Sequence, residues 1–279
     1  MNERQFQLDE LTLHALESGA GQKKVIIALH GWLDNAATFN EMRQYFNDYH
    51  FIALDLMGHG YTDHRPESMP YYIWDNVSDL LLVLDQLGLE KVTLLGHSMG
   101  ASIATLFAGA FPDRVDRLFL IEGLAPLVYE EEAVPALMAD AIVKRRRMKS
   151  KKLRPYPDKE TAINVRMQGR WPVSRQAAEW LVERGIKQTL EGYIWRSDPG
   201  LMLPSLLRMS ESQVVAFLQS VTAPVSLYLG DAGIHDDSWL PRIAHLADVN
   251  VVSLPGNHHL HLDAKAAKSI AEDIKKTIQ

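Results

Sequence analysis

The hydrophobic positions of this chain follow two rhythms. Unbroken runs of apolar or β-branched residues occupy 25–29 (VIIAL), 51–54 (FIAL), 92–95 (VTLL), 118–121 (LFLI), 225–229 (VSLYL) and 249–254 (VNVVSL). Such runs suit strands covered on both faces, as in a parallel sheet between helices. Two earlier segments, 6–8 and 11–16, alternate more and predict an N-terminal hairpin. The second rhythm is helical. After Pro70, the residues Ile73, Val77, Leu80, Leu81, Leu84 and Leu87 recur at helical spacing until Gly88 ends the run. Near the C-terminus Ala267, Ile270, Ala271, Ile274 and Ile278 form another apolar stripe, with Glu272 and Lys276 spaced to pair.

Strand and helix in alternation predict an α/β fold with a doubly wound, mostly parallel sheet. Its functional site belongs at the carboxyl ends of the strands. Residues 125–222 break the rhythm, with helical patterns interrupted by Pro135, Pro155, Pro157, Pro172, Pro199 and Pro204 and no buried strand. A structureless loop of that length does not fit a compact domain. The expectation is a core built from 1–124 and 223–279, carrying a mainly helical insertion at 125–222.

Chemistry enters directly after the VTLL run, at Gly96-His97-Ser98-Met99-Gly100, which leads into the helix-like ASIATLFAGAF. A serine on a strand-to-helix turn needs small neighbours, because a side chain at Gly96 or Gly100 would meet nearby backbone. The turn also sets Ser98 at a helix N-terminus, where N–H groups and the dipole favour negative charge. A nucleophilic serine needs a base, and the loop after the last strand reads Pro255-Gly256-Asn257-His258-His259-Leu260-His261. His258, next to the tight Gly-Asn turn, is the candidate; His259 and His261 are assigned to support or packing. Zinc binding by this histidine group lacks a matching carboxylate or histidine pair elsewhere, so no metal is expected.

The first core strand ends in His30-Gly31-Trp32-Leu33-Asp34. The N–H groups of Trp32 and Met99 are the candidate oxyanion donors. The turn Asp55-Leu56-Met57-Gly58-His59-Gly60 is read as structural, since a dinucleotide site requires another glycine spacing and a following helix.

Composition adds mainly exclusions. The chain has 279 residues, 47% hydrophobic and 23% charged, which is an ordinary globular balance. A net charge of -6 argues against a nucleic-acid partner. The absence of cysteine removes disulfides, thiolate metal sites and a cysteine nucleophile. No apolar stretch has signal-peptide or membrane-span length, so a cytoplasmic protein without stable membrane insertion is expected. Nothing in the chain indicates a cofactor or an oligomeric state.

Taken in order, HGW, DLMGHG, GHSMG and GNHHLHLD resemble the α/β-hydrolase superfamily over nearly the whole chain. HGWLDNAATF, MPYYIWDNVSDL, RWPVSRQAAEWLVERG and GYIWRSDPGLMLPS are similar to serine hydrolase-like proteins. That resemblance implies a cofactor-independent hydrolase whose insertion lies over the site as a cap. In most of the superfamily the triad acid is an aspartate at a position that is Gly233 here. LIEGLAP instead resembles haloalkane dehalogenases with a glutamate after the strand that follows the elbow helix, although their nucleophile is an aspartate. A carboxylate ending a fully apolar strand is costly unless paired. Glu122 is therefore the candidate acid, and Asp231 the alternative, with Asp236 and Asp237 behind it.

The expected reaction is hydrolysis of a small-molecule carboxylic ester or related acyl compound by a Ser-His-Glu triad. The alternatives are the same triad acting on a carbon–carbon bond, amide or thioester, or a non-catalytic binding protein. The basic run Lys144, Arg145, Arg146, Arg147, Lys149, Lys151, Lys152 and Arg154 reads either as a docking surface for an anion or as a solvated helix face. Trp171, Trp180, Tyr193 and Trp195 either line a pocket or pack within the insertion.

Overall fold

A computed structural model describes residues 2–148 and 154–278. The strands are β1 (Asn2–Leu8), β2 (Leu11–Ser18), β3 (Val25–Leu29), β4 (His50–Leu54), β5 (Val92–His97), β6 (Val115–Ile121), β7 (Ile186–Thr189), β8 (Gly192–Trp195), β9 (Val225–Ala232) and β10 (Val249–Asn257). The helices are α1 (Asn40–Arg43), α2 (Asp75–Gln86), α3 (Met99–Ala110), α4 (Val134–Met148), α5 (Lys159–Met167), α6 (Arg175–Gly185), α7 (Glu211–Ser220), α8 (Trp239–Ile243) and α9 (Ala264–Thr277).

Eight strands form one sheet in the order β1-β2-β4-β3-β5-β6-β9-β10. The hairpin β1–β2 joins β4 antiparallel, and every later pairing is parallel. Alternation along the central strands splits the core in two. Ile27, Leu29 and Leu94 face the helices α2, α3 and α7. Ile26, Ala28 and Leu95 face α1 and α9. This is the period-2 geometry of a strand buried on both faces, and β5 is buried along its whole length.

The run at 249–254 departs from that expectation. Its strand β10 is the sheet edge, and half-buried and exposed positions follow one another along it. Apolar content alone does not distinguish a covered strand from an edge strand.

Between β6 and β9 lie α4 to α7 and an unanticipated antiparallel hairpin, β7–β8. Each of its strands has four residues and only Ile186 is fully buried, so the pattern gave no apolar run to read. Ile186 packs with Ala162 and Val182 into a small separate core. Several bonds tie this segment to the sheet. Buried Arg184 reaches both oxygens of Asp55 at 3.0 and 2.9 Å, and Glu3 at 2.6 Å. Asn35 Nδ2 donates to Leu181 O at 2.9 Å, Trp32 Nε1 to Leu201 O at 3.0 Å, and Tyr71 OH to Asp198 at 2.6 Å.

Part of the basic run lies on α4, where Lys144 pairs with Asp140 at 2.7 Å. Lys149, Lys151 and Lys152 lie outside the described residues. On α9, Glu272 faces Lys268 at 3.9 Å, one turn N-terminal to it, instead of Lys276. No helix among the described residues is long and apolar enough to cross a membrane.

Candidate active site

Ser98 stands between β5 and α3 with φ 53° and ψ -115°, a conformation that ordinary side chains avoid. The glycines around it make the turn possible. A Cβ on Gly96 would lie 2.5 Å from Ala101 Cα, and one on Gly100 only 2.0 Å from Leu29 O. Neither atom is on a side chain that could swing away. The tight turn lets Ser98 N–H bond to Ile121 O at 2.9 Å, locking the serine against the end of β6.

Beyond β10, His258 reaches back over the sheet. Its Nε2 is 3.0 Å from Ser98 Oγ and its Nδ1 is 3.3 Å from Glu122 Oε2. Glu122 follows β6 directly, is fully buried, and has φ 50°. Its carboxylate also accepts N–H bonds from Gly230 at 2.7 Å and Ile234 at 2.8 Å. Burial alone would raise its pKa, but the bonds from His258, Gly230 and Ile234 outweigh that and hold it below the ordinary value.

The neighbouring loop leaves space for the Glu122 carboxylate. A Cβ on Gly233 would lie 2.2 Å from Glu122 Oε1, so glycine at 233 is what leaves room for the glutamate. Asp231 is not brought to His258. It is exposed and accepts the N–H of Gly256 at 2.9 Å across the β9–β10 edge. Asp236 accepts from Ser238 N–H at 2.9 Å, and Asp237 is exposed.

On the other side of Ser98 stands the turn after β3. A Cβ on Gly31 would come within 3.2 Å of Ser98 Cβ, so backbone passes directly beside the serine. Leu33 has φ 61°, and its N–H donates to His59 Nε2 at 3.2 Å. Leu56 N–H donates to His30 Nε2 at 3.0 Å. Burial lowers the pKa of His30 to about 4 and of His59 to about 3, so each stays neutral and accepts through Nε2. The turn at Asp55 to Gly60 thus shapes the strip that carries Trp32. Met99 opens α3, where an N–H has no intrahelical acceptor. Of the four non-glycine residues with positive φ among the described residues, Leu33, Ser98 and Glu122 lie here, and Asp9 turns the β1–β2 hairpin. Such conformations persist only where the surroundings over-determine them.

A second carboxylate–histidine pair lies beside the first, and no motif or spacing in the sequence marks it. His259 Nε2 is 3.1 Å from Asp34 Oδ2, and Arg166 from α5 binds Asp34 at 2.9 Å. Burial would raise the pKa of Asp34, but the charges of Arg166 and His259 hold it well below its ordinary value. Burial lowers that of His259 despite Asp34. His97 donates Nε2–H to the His258 carbonyl at 2.8 Å, and His261 Nε2 meets Thr38 Oγ1 at 2.8 Å. Burial pushes both well below the usual imidazole range. Despite this crowd of imidazoles, no group of three or more His, Cys, Asp or Glu among the described residues has the arrangement of a metal site.

The aromatics of the intervening segment divide. The Trp171 ring lies 5.5 Å from that of His258, while Trp195 contacts Tyr156 edge-on and Trp180 packs towards α9. A cavity of about 260 Å³ opens beside them, lined in part by Trp32, Arg166, Arg170, Trp171, Trp195 and His259.

A parallel sheet with a strained serine between β5 and α3 defines the class, and comparison agrees: residues 24–156 match the α/β hydrolase fold family. The chain has the α/β hydrolase fold. Within it, the chain is similar to a serine hydrolase-like protein of Dictyostelium discoideum, 28% identical over 88% of this chain and 72% of the relative. It superposes on a hypothetical protein of Pseudomonas aeruginosa PAO1 with a TM-score of 0.95 and 38% identity, over 100% of this chain and 99% of the other. The thioesterase domain from the curacin biosynthetic pathway shares the fold at 24% identity and a TM-score of 0.88, over 99% of each chain.

Proposed function

We propose that the protein is a serine hydrolase of carboxylic esters or related acyl compounds, with residues 125–222 as a cap over the site. The observation that carries this reading is the unbroken line from Ser98 Oγ through His258 to Glu122, with contacts of 3.0 and 3.3 Å. Glu122 holds His258 in the tautomer with hydrogen on Nδ1, leaving Nε2 free to accept the serine proton. As Nε2 takes that proton, Ser98 Oγ bonds to the acyl carbon and the carbonyl electron pair moves onto oxygen. The N–H groups of Trp32 and Met99 stabilise this oxyanion. Its collapse breaks the bond to the leaving oxygen, which departs as an alcohol with the proton held by His258. Water, deprotonated by the same imidazole, then attacks the acyl-enzyme, releasing the carboxylic acid and restoring Ser98.

The substrate on this reading is a small acyl compound, and the chemistry needs no cofactor. The test is intact-mass labelling with a fluorophosphonate beside a panel of p-nitrophenyl esters, with Ser98→Ala as control. A single adduct on Ser98, and ester turnover that the substitution lowers about 10⁴–10⁶-fold, is the expected result. A protein that neither labels nor turns over any ester is instead a binding protein of this fold. Thioester and amide analogues in the panel identify the bond preferred.

A further inference from the structure

The cavity beside the site carries an unbalanced positive charge. Two arginines, Arg166 and Arg170, line its wall. Arg166 is neutralised by Asp34 at 2.9 Å. Arg170 makes no ion pair among the described residues, and its guanidinium lies over the Trp171 ring at 5.2 Å. That same ring is the one beside His258, at 5.5 Å. The lining also includes Trp32, whose N–H is the proposed oxyanion donor, and Trp195. Trp171 thus stands beside both the proposed general base and an exposed guanidinium, and three tryptophans line the cavity.

We propose that this cavity is the acyl-chain subsite and that Arg170 binds a carboxylate at the far end of a short acyl chain, so that the preferred substrates are monoesters of dicarboxylic acids. The inference rests on the reading of Ser98 as the nucleophile. Its chemistry is specific. A guanidinium offers two parallel N–H donors to a carboxylate, and stacking on Trp171 pre-orients that fork. The methylenes of the acyl chain lie against Trp32 and Trp195, which supply apolar contact. The volume of about 260 Å³ is small. It is less than the roughly 300–1,000 Å³ of pockets for drug-sized ligands, which points to a short chain. Asp34 and His259 also line the cavity; the Asp34 charge is matched by Arg166 at 2.9 Å, and burial lowers the His259 pKa, so neither cancels the charge of Arg170.

The test compares p-nitrophenyl monoesters of succinic, glutaric and adipic acids with p-nitrophenyl butyrate and valerate. The carboxylated esters have the higher kcat/KM, through KM, and the advantage shrinks with added salt. In Arg170→Gln the ratio of carboxylated to neutral kcat/KM falls about 10–100-fold, the range of a charge-assisted hydrogen bond. Arg170→Lys, which keeps the charge and loses the fork, restores part of it. A wild-type protein that hydrolyses both series equally, or a preference that survives Arg170→Gln, overturns the inference and leaves the serine hydrolase standing. If no ester is hydrolysed and no fluorophosphonate adduct forms, the catalytic reading falls. Calorimetric binding of the p-nitroanilide of glutaric acid then decides the subsite: binding lost in Arg170→Gln supports it, and equal or absent binding overturns it.

Discussion

His258 and His259 are neighbours in the chain, and each imidazole faces a buried carboxylate, yet the two pairs differ in charge balance and in what the outer nitrogen meets. Besides His258, Glu122 accepts the N–H groups of Gly230 and Ile234, the His235 ring stands 3.7 Å from its other oxygen, and no Lys or Arg pairs with it among the described residues. On the proposed mechanism its charge stabilises a proton arriving on His258. Asp34 is matched by the guanidinium of Arg166, so its charge is already spoken for. The outer nitrogens differ as well. His258 Nε2 meets Ser98 Oγ at 3.0 Å, whereas His259 Nδ1 is buried with no hydrogen-bond partner. A carboxylate–histidine pair is therefore not catalytic in itself. What matters is whether the imidazole can gain charge and whether its other nitrogen meets a group with a proton to give.

Removing each imidazole in turn separates the two pairs most strongly. His258→Ala is expected to lower ester kcat about 10⁴–10⁶-fold and to slow fluorophosphonate labelling in parallel. His259→Ala should lower kcat by no more than about tenfold, because it carries no proton in the cycle. Equal losses would mean that the two pairs act as one unit. Next in size is the acid. Glu122→Gln keeps the shape and removes the charge, and an expected loss of about 10³–10⁴-fold in kcat follows from the misdirected tautomer and the unsupported imidazolium.

The next effect is on stability and comes from pH. His30, His59, His97, His259 and His261 all have pKa values lowered by burial. A lowered folded pKa means that the unfolded chain binds more protons, so the stabilisation is present above about pH 6.5 and is lost as pH falls. His30 alone, shifted from 6.5 to about 4, contributes up to about 3 kcal/mol of this loss. Asp34 and Glu122, also lowered, extend it below about pH 4, where their unfolded counterparts take up protons. Tm measured across pH should be level above 7 and fall steadily between about 6.5 and 4. A Tm that held constant down to pH 4 would contradict the neutral, buried state of these rings. Smaller again is Asp34→Asn, which leaves Arg166 without its counter-charge. It is expected to cost about 2 kcal/mol in denaturant unfolding while kcat stays within about tenfold. That is the reverse of Glu122→Gln.

The two pairs also differ in how far the sequence reveals them. The serine turn is local: strand, glycine, serine, glycine and helix are contiguous, and steric need dictates the residue types. Glu122 is legible because an apolar strand ending in a carboxylate demands a partner, and because Gly233 withdraws the usual position. The pairing of Asp34 with Arg166 and His259 spans 132 and 225 residues and uses no fixed spacing. Only the fold brings those residues together. The β7–β8 hairpin and the exposed edge β10 were hidden for a related reason. Exposure is set by what packs alongside, and a window of apolar residues does not contain its neighbours.

The smallest expected effect tests the choice of acid most directly. Asp231 was the alternative to Glu122, and it sits on the same β9 end from which most of the superfamily draws its acid. Here its carboxylate turns outward to the Gly256 N–H at 2.9 Å, on an exposed edge. Asp231→Asn keeps an acceptor oxygen for that N–H and removes only a solvated charge, so kcat should change less than about threefold and stability by less than about 0.5 kcal/mol. Glu122→Gln and Asp231→Asn measured side by side on one ester thus separate the two positions by about three orders of magnitude. If the losses were reversed, the loop after β9 would have to rearrange in solution to bring Asp231 to His258. Glu122 would then be a buried structural carboxylate like Asp34, and the contrast between the two pairs would vanish.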